Sequence, residues 1–141
     1  MYRLRCTGLT FCSWFLGNLM LKRLDSLLLY IKSVGESAKF YSLLGFEISR
    51  QTEDMIVAKL GDFELHCHDQ TTVKFKEESK IEPKGAGVFI YIEIDGIDKY
   101  HKSLVDKGLS ASSEPRNWPW GNREFVIRDP DGYKLVFYEK I

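Results

Sequence analysis

The chain has 141 residues, 44% of them hydrophobic and 28% charged, which is enough for one domain with its own core. Its 20 basic and 20 acidic residues cancel, so the general affinity for nucleic acid or anionic membrane that a strongly basic chain would have is excluded. Three cysteines (Cys6, Cys12 and Cys67) with no CxxC pair exclude a disulfide framework and a zinc ribbon, and fit a reducing, cytoplasmic setting.

Residues 1–23 read as an N-terminal extension. They hold Arg3, Arg5, Lys22 and Arg23 and no acid, which leaves 16 basic against 20 acidic residues in 24–141. That mildly acidic body leans toward cationic ligands. Leu9–Leu21 is apolar but broken by Ser13, Gly17 and Asn18. It lacks a small-residue cleavage site and falls short of the roughly 20 apolar residues needed to span a bilayer. An extension ahead of Met20 as the natural start is the favoured reading. An added interface element and a targeting segment are the alternatives.

Leu24–Ile31 is a nearly continuous apolar run, the pattern of a strand buried on both faces. Ser33 and Glu36 have capping-box spacing, which predicts a helix with Phe40, Leu43 and Leu44 on its apolar side and Gly45 as its stop. Phe46–Gln51, Met55–Leu60 and Phe63–Asp69 read as strands, the last two joined by a Gly61-Asp62 turn. Gln70–Gly87 is polar and rich in Lys and Glu, and reads as a linker. Val88–Ile94 repeats the buried-strand pattern. Asp95 is the expected cap of a second helix, with Asp98 in support, an apolar stripe of Ile97, Tyr100, Leu104 and Val105, and a stop at Gly108. A short strand is expected near Leu109–Ser112. A loop with Trp118 and Trp120 then leads into a hairpin, Arg123–Arg128 and Lys134–Tyr138 about Asp129-Pro130-Asp131-Gly132.

The order strand-helix-strand-strand-strand thus occurs twice, in a first module of residues 24–69 and a second of 88–141, joined by linker 70–87. Neither module can bury its own sheet alone. The expected fold class is α+β, two βαβββ modules forming a curved mixed sheet whose open face makes a cup, the usual place for a small ligand.

With this paired order, and with the strings AKFYSLLGFEI at Ala38–Ile48 and WGNREFVIRDPDGYKLVFYE at Trp120–Glu139, residues 24–141 resemble the vicinal oxygen chelate superfamily of glyoxalases, dioxygenases and bleomycin resistance proteins. The second string looks most like the bleomycin resistance branch. The resemblance implies a homodimer with ligand crevices between subunits, and in the superfamily's enzymes a divalent metal in the cup. Three usual metal-ligand positions fall here on Ser26, Phe89 and Val136, and only the extra glyoxalase position is acidic, as Glu64. One carboxylate cannot make a site of three or four N/O ligands. No cofactor is therefore expected, and the branch that binds drugs without metal chemistry fits best.

Alternation sends Glu64, His66 and His68 to one face of their strand and Phe63, Leu65 and Cys67 to the other. The three polar residues are the alternative metal site; half-exposed sheet residues are the plainer account. The same alternation places Ser26, Leu28, Tyr30, Phe89, Tyr91, Glu93, Val136 and Tyr138 in the cup, with Trp118 or Trp120 at its rim. The ligand-binding set read from the sequence is Tyr30, Glu64, His66, Phe89, Tyr91, Glu93, Trp118, Trp120 and Tyr138. Aromatic faces beside Glu64 and Glu93 suit a planar or cationic ligand, each stacking or cation–π contact contributing about 0.5–2 kcal/mol. Side chains that simply fill the cup are the competing account.

Several residues are set aside. Cys67 reads as a small core residue and His101 as a surface one. Asp129 and Asp131 read as turn residues, and Lys74, Lys76, Lys80 and Lys84 as a solvated loop. No phosphate-binding glycine loop or nucleophile motif is present. The expected function is sequestration of a small aromatic drug or metabolite, as in antibiotic resistance, with no catalytic residue. The alternative is a metal-dependent glyoxalase-like or dioxygenase-like enzyme using Glu64, His66 and His68. A third reading is an interaction domain with a filled cup.

Overall fold

The computed structural model of the chain describes residues 20–72 and 76–141. The sequence expectations for residues 1–19, including the targeting alternative, lie outside the described residues. The first module runs β1 (Ser26–Ile31), α1 (Val34–Leu44), β2 (Glu47–Gln51), β3 (Met55–Leu60) and β4 (Phe63–Asp69). After a short α2 (Lys76–Ser79), the second runs β5 (Phe89–Glu93), α3 (Ile97–Asp106), β6 (Arg116–Asn117), β7 (Asn122–Arg128) and β8 (Lys134–Lys140). The sheets have the same topology, β1-β4-β3-β2 and β5-β8-β7-β6. The first and last strand of each module are parallel, and the other neighbours are antiparallel. The fold is α+β with the paired βαβββ order read from the sequence. Backbone hydrogen bonds run within each four-stranded sheet, and the β1 and β5 edges are not paired with each other.

Helix α1 begins and ends where its local chemistry requires. The Glu36 amide donates to Ser33 Oγ at 3.3 Å, satisfying one of the helix's unpaired first-turn donors. Gly45 takes the left-handed conformation at φ 103°, where a side chain would be strained. Tyr41, on the face of Ala38 and Leu44, is fully buried. Helix α3 departs from the expected Asp95 cap. Its N-cap is Gly96, without a side-chain cap, and Glu139 of β8 takes the Gly96 and Ile97 amides at 2.9 and 3.2 Å. A carboxylate at a helix N-terminus is favoured by the helix dipole, and here it comes from 43 residues away. Asp98 pairs instead with Arg123 at 2.6 Å.

One core joins both modules. Leu29, Ile31, Tyr41, Leu65 and Cys67 of the first share it with Ile97, Leu104, Phe125 and Phe137 of the second. Burial of each large side chain contributes about 1.5–3 kcal/mol. β1 and β5 are nevertheless covered on one face only, against the two-sided burial their apolar runs suggested. Leu28 is 48%, Phe89 53% and Tyr91 54% exposed. The run of apolar residues is real; the second face is the open face of the sheet. The strand expected near Leu109–Ser112 is absent. Ser112 makes one ladder-like bond, N–H to Val126 O at 2.7 Å, and pairing with β7 resumes only at Arg116.

The hairpin turn between β7 and β8 fastens the modules together. Asp129 Oδ1 accepts the amides of Asp131, Gly132 and Tyr133, each at 2.9 Å. Its Oδ2 accepts the Tyr41 hydroxyl at 2.9 Å. Asp131 accepts the Lys32 amide, and the Tyr133 hydroxyl donates to Tyr30 O and accepts from Tyr30 N. Burial raises the Asp129 carboxyl above its ordinary value despite these donors, and pushes Tyr133 up to about 12. Asp129 and Asp131 are turn residues, as read, and also join the modules.

Two further expectations are corrected. Lys84 is buried, not solvated: its Nζ donates to Ser79 O and lies 3.9 Å from Glu82. A long aliphatic stem lets a lysine pass through apolar surroundings if its head group finds acceptors. His101 is also buried, edge-on to Phe125 with 5.0 Å between ring centroids. Lys74 lies outside the described residues. Cys67 is fully buried, and burial pushes its thiol up to about 12, so it is an inert core residue.

Candidate functional site

The residues read from the sequence as one binding set fall on two sheets. Tyr30, Glu64 and His66 lie on the open face of the first. Phe89, Tyr91, Glu93 and Tyr138 lie on the open face of the second, and Trp118 and Trp120 follow β6.

On the first sheet His66 Nε2 meets Glu64 Oε2 at 2.8 Å. His68 shares their face, but four residues along a strand separate it from Glu64 by roughly 13 Å. Among the described residues no group of three or more His, Cys, Asp or Glu is placed to hold a metal ion.

The second sheet bears a cleft of about 340 Å³ lined by Phe89, Arg116, Trp118, Glu124, Val126, Arg128 and Lys134, with Ser112 and Ser113 beside them. Strand register explains the grouping. Arg128, Lys134 and Phe89 are cross-strand neighbours in one row, Val126, Val136 and Tyr91 in the next, and Arg116, Glu124, Tyr138 and Glu93 in the third. Val136, in the middle row, is almost fully buried. Trp118 and Trp120 stack at 4.5 Å and 16°. Arg116 lies over the Trp118 ring, 3.7 Å from its centroid, and Lys134 lies over Phe89 at 4.6 Å.

The tryptophan pair is held from below. Glu124 is buried, and its Oε1 accepts Trp120 Nε1–H at 2.8 Å and Asn122 Nδ2 at 3.0 Å. The loop is pinned further by Trp118 N–H to Asn122 O at 2.8 Å and Gly121 N–H to Trp118 O at 3.1 Å. Glu93 does not line this cleft; it faces Lys140 at 3.5 Å. Tyr91 and Tyr138 contact each other edge-on at 5.9 Å; by register Tyr91 belongs to the valine row and Tyr138 to the Arg116–Glu124 row, and neither lines the cleft.

The sequence reading missed Glu124, Arg116, Arg128 and Lys134. Alternation about Phe125 and Ile127 places Glu124, Val126 and Arg128 on one face, so that signal was present in the sequence. The partnership of Glu124 with Trp120 depends on how the loop folds back, which alternation does not reveal.

Residues 23–137 match the sequence profile of the glyoxalase/bleomycin resistance protein/dioxygenase superfamily. The chain belongs to that superfamily. Bleomycin resistance proteins from Geobacillus stearothermophilus and Staphylococcus aureus are 24% identical over 121 residues, covering 79% of this chain and 92% of theirs. A superfamily protein from Nocardioides superposes with a TM-score of 0.71 at 21% identity, covering 94% of this chain and 93% of its own. A lactoylglutathione lyase from Agrobacterium tumefaciens gives 0.66 at 18% identity, over 84% of this chain and 94% of its own. At these identities the structural likeness establishes the fold alone, and a fold does not fix an activity.

The superfamily's usual metal positions do not fit a metal here. Ser26 is the cross-strand neighbour of Glu64, and a hydroxyl beside one carboxylate is a poor donor set for Zn²⁺ or Ni²⁺. On the second sheet the neighbour of Phe89 is Lys134 rather than Val136. None of Phe89, Lys134 and Val136 is a usual metal ligand.

Proposed function

We propose that this superfamily member binds a small aromatic molecule in the cleft of its second module and sequesters it unchanged. The observation that carries this reading is the stacked Trp118–Trp120 pair, locked by buried Glu124 beside an open cleft. A rigid aromatic wall loses little entropy when a planar ligand stacks on it. The cleft's volume falls within the roughly 300–1,000 Å³ typical of small-molecule sites. Its side chains also lack a paired nucleophile and base: Ser113 Oγ already accepts the Val126 amide at 3.0 Å, and no histidine lines the cleft. The names of the bleomycin resistance relatives support a drug-binding role of this kind.

The binding unit is a homodimer. Leu28, Phe89 and Tyr91 are about half exposed on the open faces, and a second copy would cover such side chains. The buried, unpaired Cys67 fits a cytoplasmic setting. Titrating fused-ring aromatics while following tryptophan emission tests the reading, with mass spectrometry of the recovered ligand. Saturable quenching with an unchanged ligand mass is expected. A ligand recovered chemically altered would sink the sequestration reading.

A second reading has one observation behind it, the 2.8 Å Glu64–His66 contact. It is a metal-dependent enzyme with a rearranged site on the first module. Metal analysis of freshly purified protein beside His66→Ala separates the two: stoichiometric divalent metal lost in the variant would favour the enzyme.

A further inference from the structure

The cleft's charge is opposite in sign to that of the chain body. Arg116, Arg128 and Lys134 line it against a single carboxylate, Glu124, whose Oε1 is already engaged by Trp120 and Asn122. The other acid on this face, Glu93, has Lys140. Arg128 and Lys134 are direct cross-strand neighbours. Like charges in that position repel and destabilise a sheet. Among the described residues neither has a carboxylate within ion-pair distance. Arg128 donates only to the Gly132 carbonyl at 3.3 Å, and Lys134 rests on the face of Phe89.

The two cations lie at one end of the cleft. Between them and the Arg116–Glu124 row lies the apolar Val126–Val136 row, with successive rows roughly 7 Å apart along the strands. A planar ring over the valines, edged by Phe89, would carry a substituent straight to Arg128 and Lys134.

We infer that the cleft selects an aromatic ligand bearing an anionic group, a carboxylate, sulfonate or phosphate, seated between Arg128 and Lys134. This inference rests on the proposed ligand-binding role and specifies its chemistry. The anion would relieve the Arg128–Lys134 repulsion and accept charge-assisted hydrogen bonds from both. A cationic ligand would meet that repulsion twice over. The expectation of a cationic ligand rested on Glu64 and Glu93 and on the acidic body, and neither residue lines the cleft.

Three nearly isosteric probes separate the charge from the ring: naphthalene-2-carboxylate, 2-naphthamide and 2-naphthylmethylammonium, titrated calorimetrically against the full-length protein. The carboxylate should bind about tenfold more tightly than the amide, and the ammonium most weakly. Raising the salt to about 0.5 M should narrow the gap. In Arg128→Gln/Lys134→Gln the carboxylate-to-amide ratio should fall toward one, while Lys102→Gln, on the exposed side of α3, should keep it. An amide that binds as tightly as the carboxylate, or a double variant that keeps the ratio, overturns the anion assignment and leaves the aromatic-binding role standing. Failure of all three probes to bind at millimolar concentration overturns that role, and the anion assignment with it.

Discussion

The two modules share a topology and a core, yet their open faces have little in common. Facing inward, Leu29 and Ile31 of β1 and Ile92 of β5 pack under helices, as do Leu65 of β4 and Leu135 and Phe137 of β8. Facing outward, the first sheet carries Ser26, Leu28, Tyr30 and the Glu64–His66 contact. The second carries a rigid tryptophan pair and an uncompensated row of cations. The inward residues are constrained by close packing, where even one methylene of volume change is felt. The outward ones are not needed to hold the fold. That contrast is why the proposed ligand site is placed on the second module, whose open face bears the cleft.

The largest test of this contrast is to loosen what holds the modules together. Asp129→Ala removes the acceptor of three amides and of the Tyr41 hydroxyl and should cost about 3 kcal/mol of stability, read as a lower urea midpoint. If the variant unfolds in two separate transitions, the modules are more independent than their shared core implies. Trp118→Ala should weaken an aromatic ligand by about 1–2 kcal/mol, roughly tenfold, in calorimetric titration. Unaltered affinity would remove the tryptophan pair from the site. Tyr133→Phe deletes the hydroxyl that bridges Tyr30 N and O and should cost about 1 kcal/mol, again by urea denaturation.

A smaller effect is expected at Glu139. Donation from the Gly96 and Ile97 amides holds its carboxyl below the ordinary value. Its contribution should be present above about pH 4.3, the unfolded-state value, and lost as pH falls through the lower folded-state value. The stability gap between wild type and Glu139→Gln should therefore close on acidification, and a gap independent of pH would disprove the cap. At the bottom of the scale, Glu64→Ala should leave ligand affinity in the second module's cleft unchanged. A severalfold loss would mean that both open faces contribute to one site, which a dimer pairing them could produce.

Period-two alternation in the strands, capping chemistry at Ser33 and Gly45, and turn chemistry at Asp129–Gly132 are local signals. They are enough to read the two βαβββ units, while the superfamily came from resemblance to known motifs and the one-sided cover of β1 and β5 was not legible. The tryptophan loop was legible too, because Pro119 and Gly121 punctuate it and large aromatics seldom sit in such a place without a partner. What could not be read is what comes from far along the chain. Glu139 caps a helix 43 residues upstream, Tyr41 reaches Asp129 across 88 residues, and His101 is buried because Phe125 stands in front of it. The charge of the cleft belongs there only in part: Arg128 and Lys134 flank the hairpin turn and are neighbours by local register, whereas Arg116 and Phe89 join them from other strands. Composition makes the body acidic, but register sets Arg128 beside Lys134 and sends Glu93 to Lys140. A sequence fixes which face a side chain takes within its own strand, whereas its neighbours across strands depend on pairing, and pairing is a property of the folded chain.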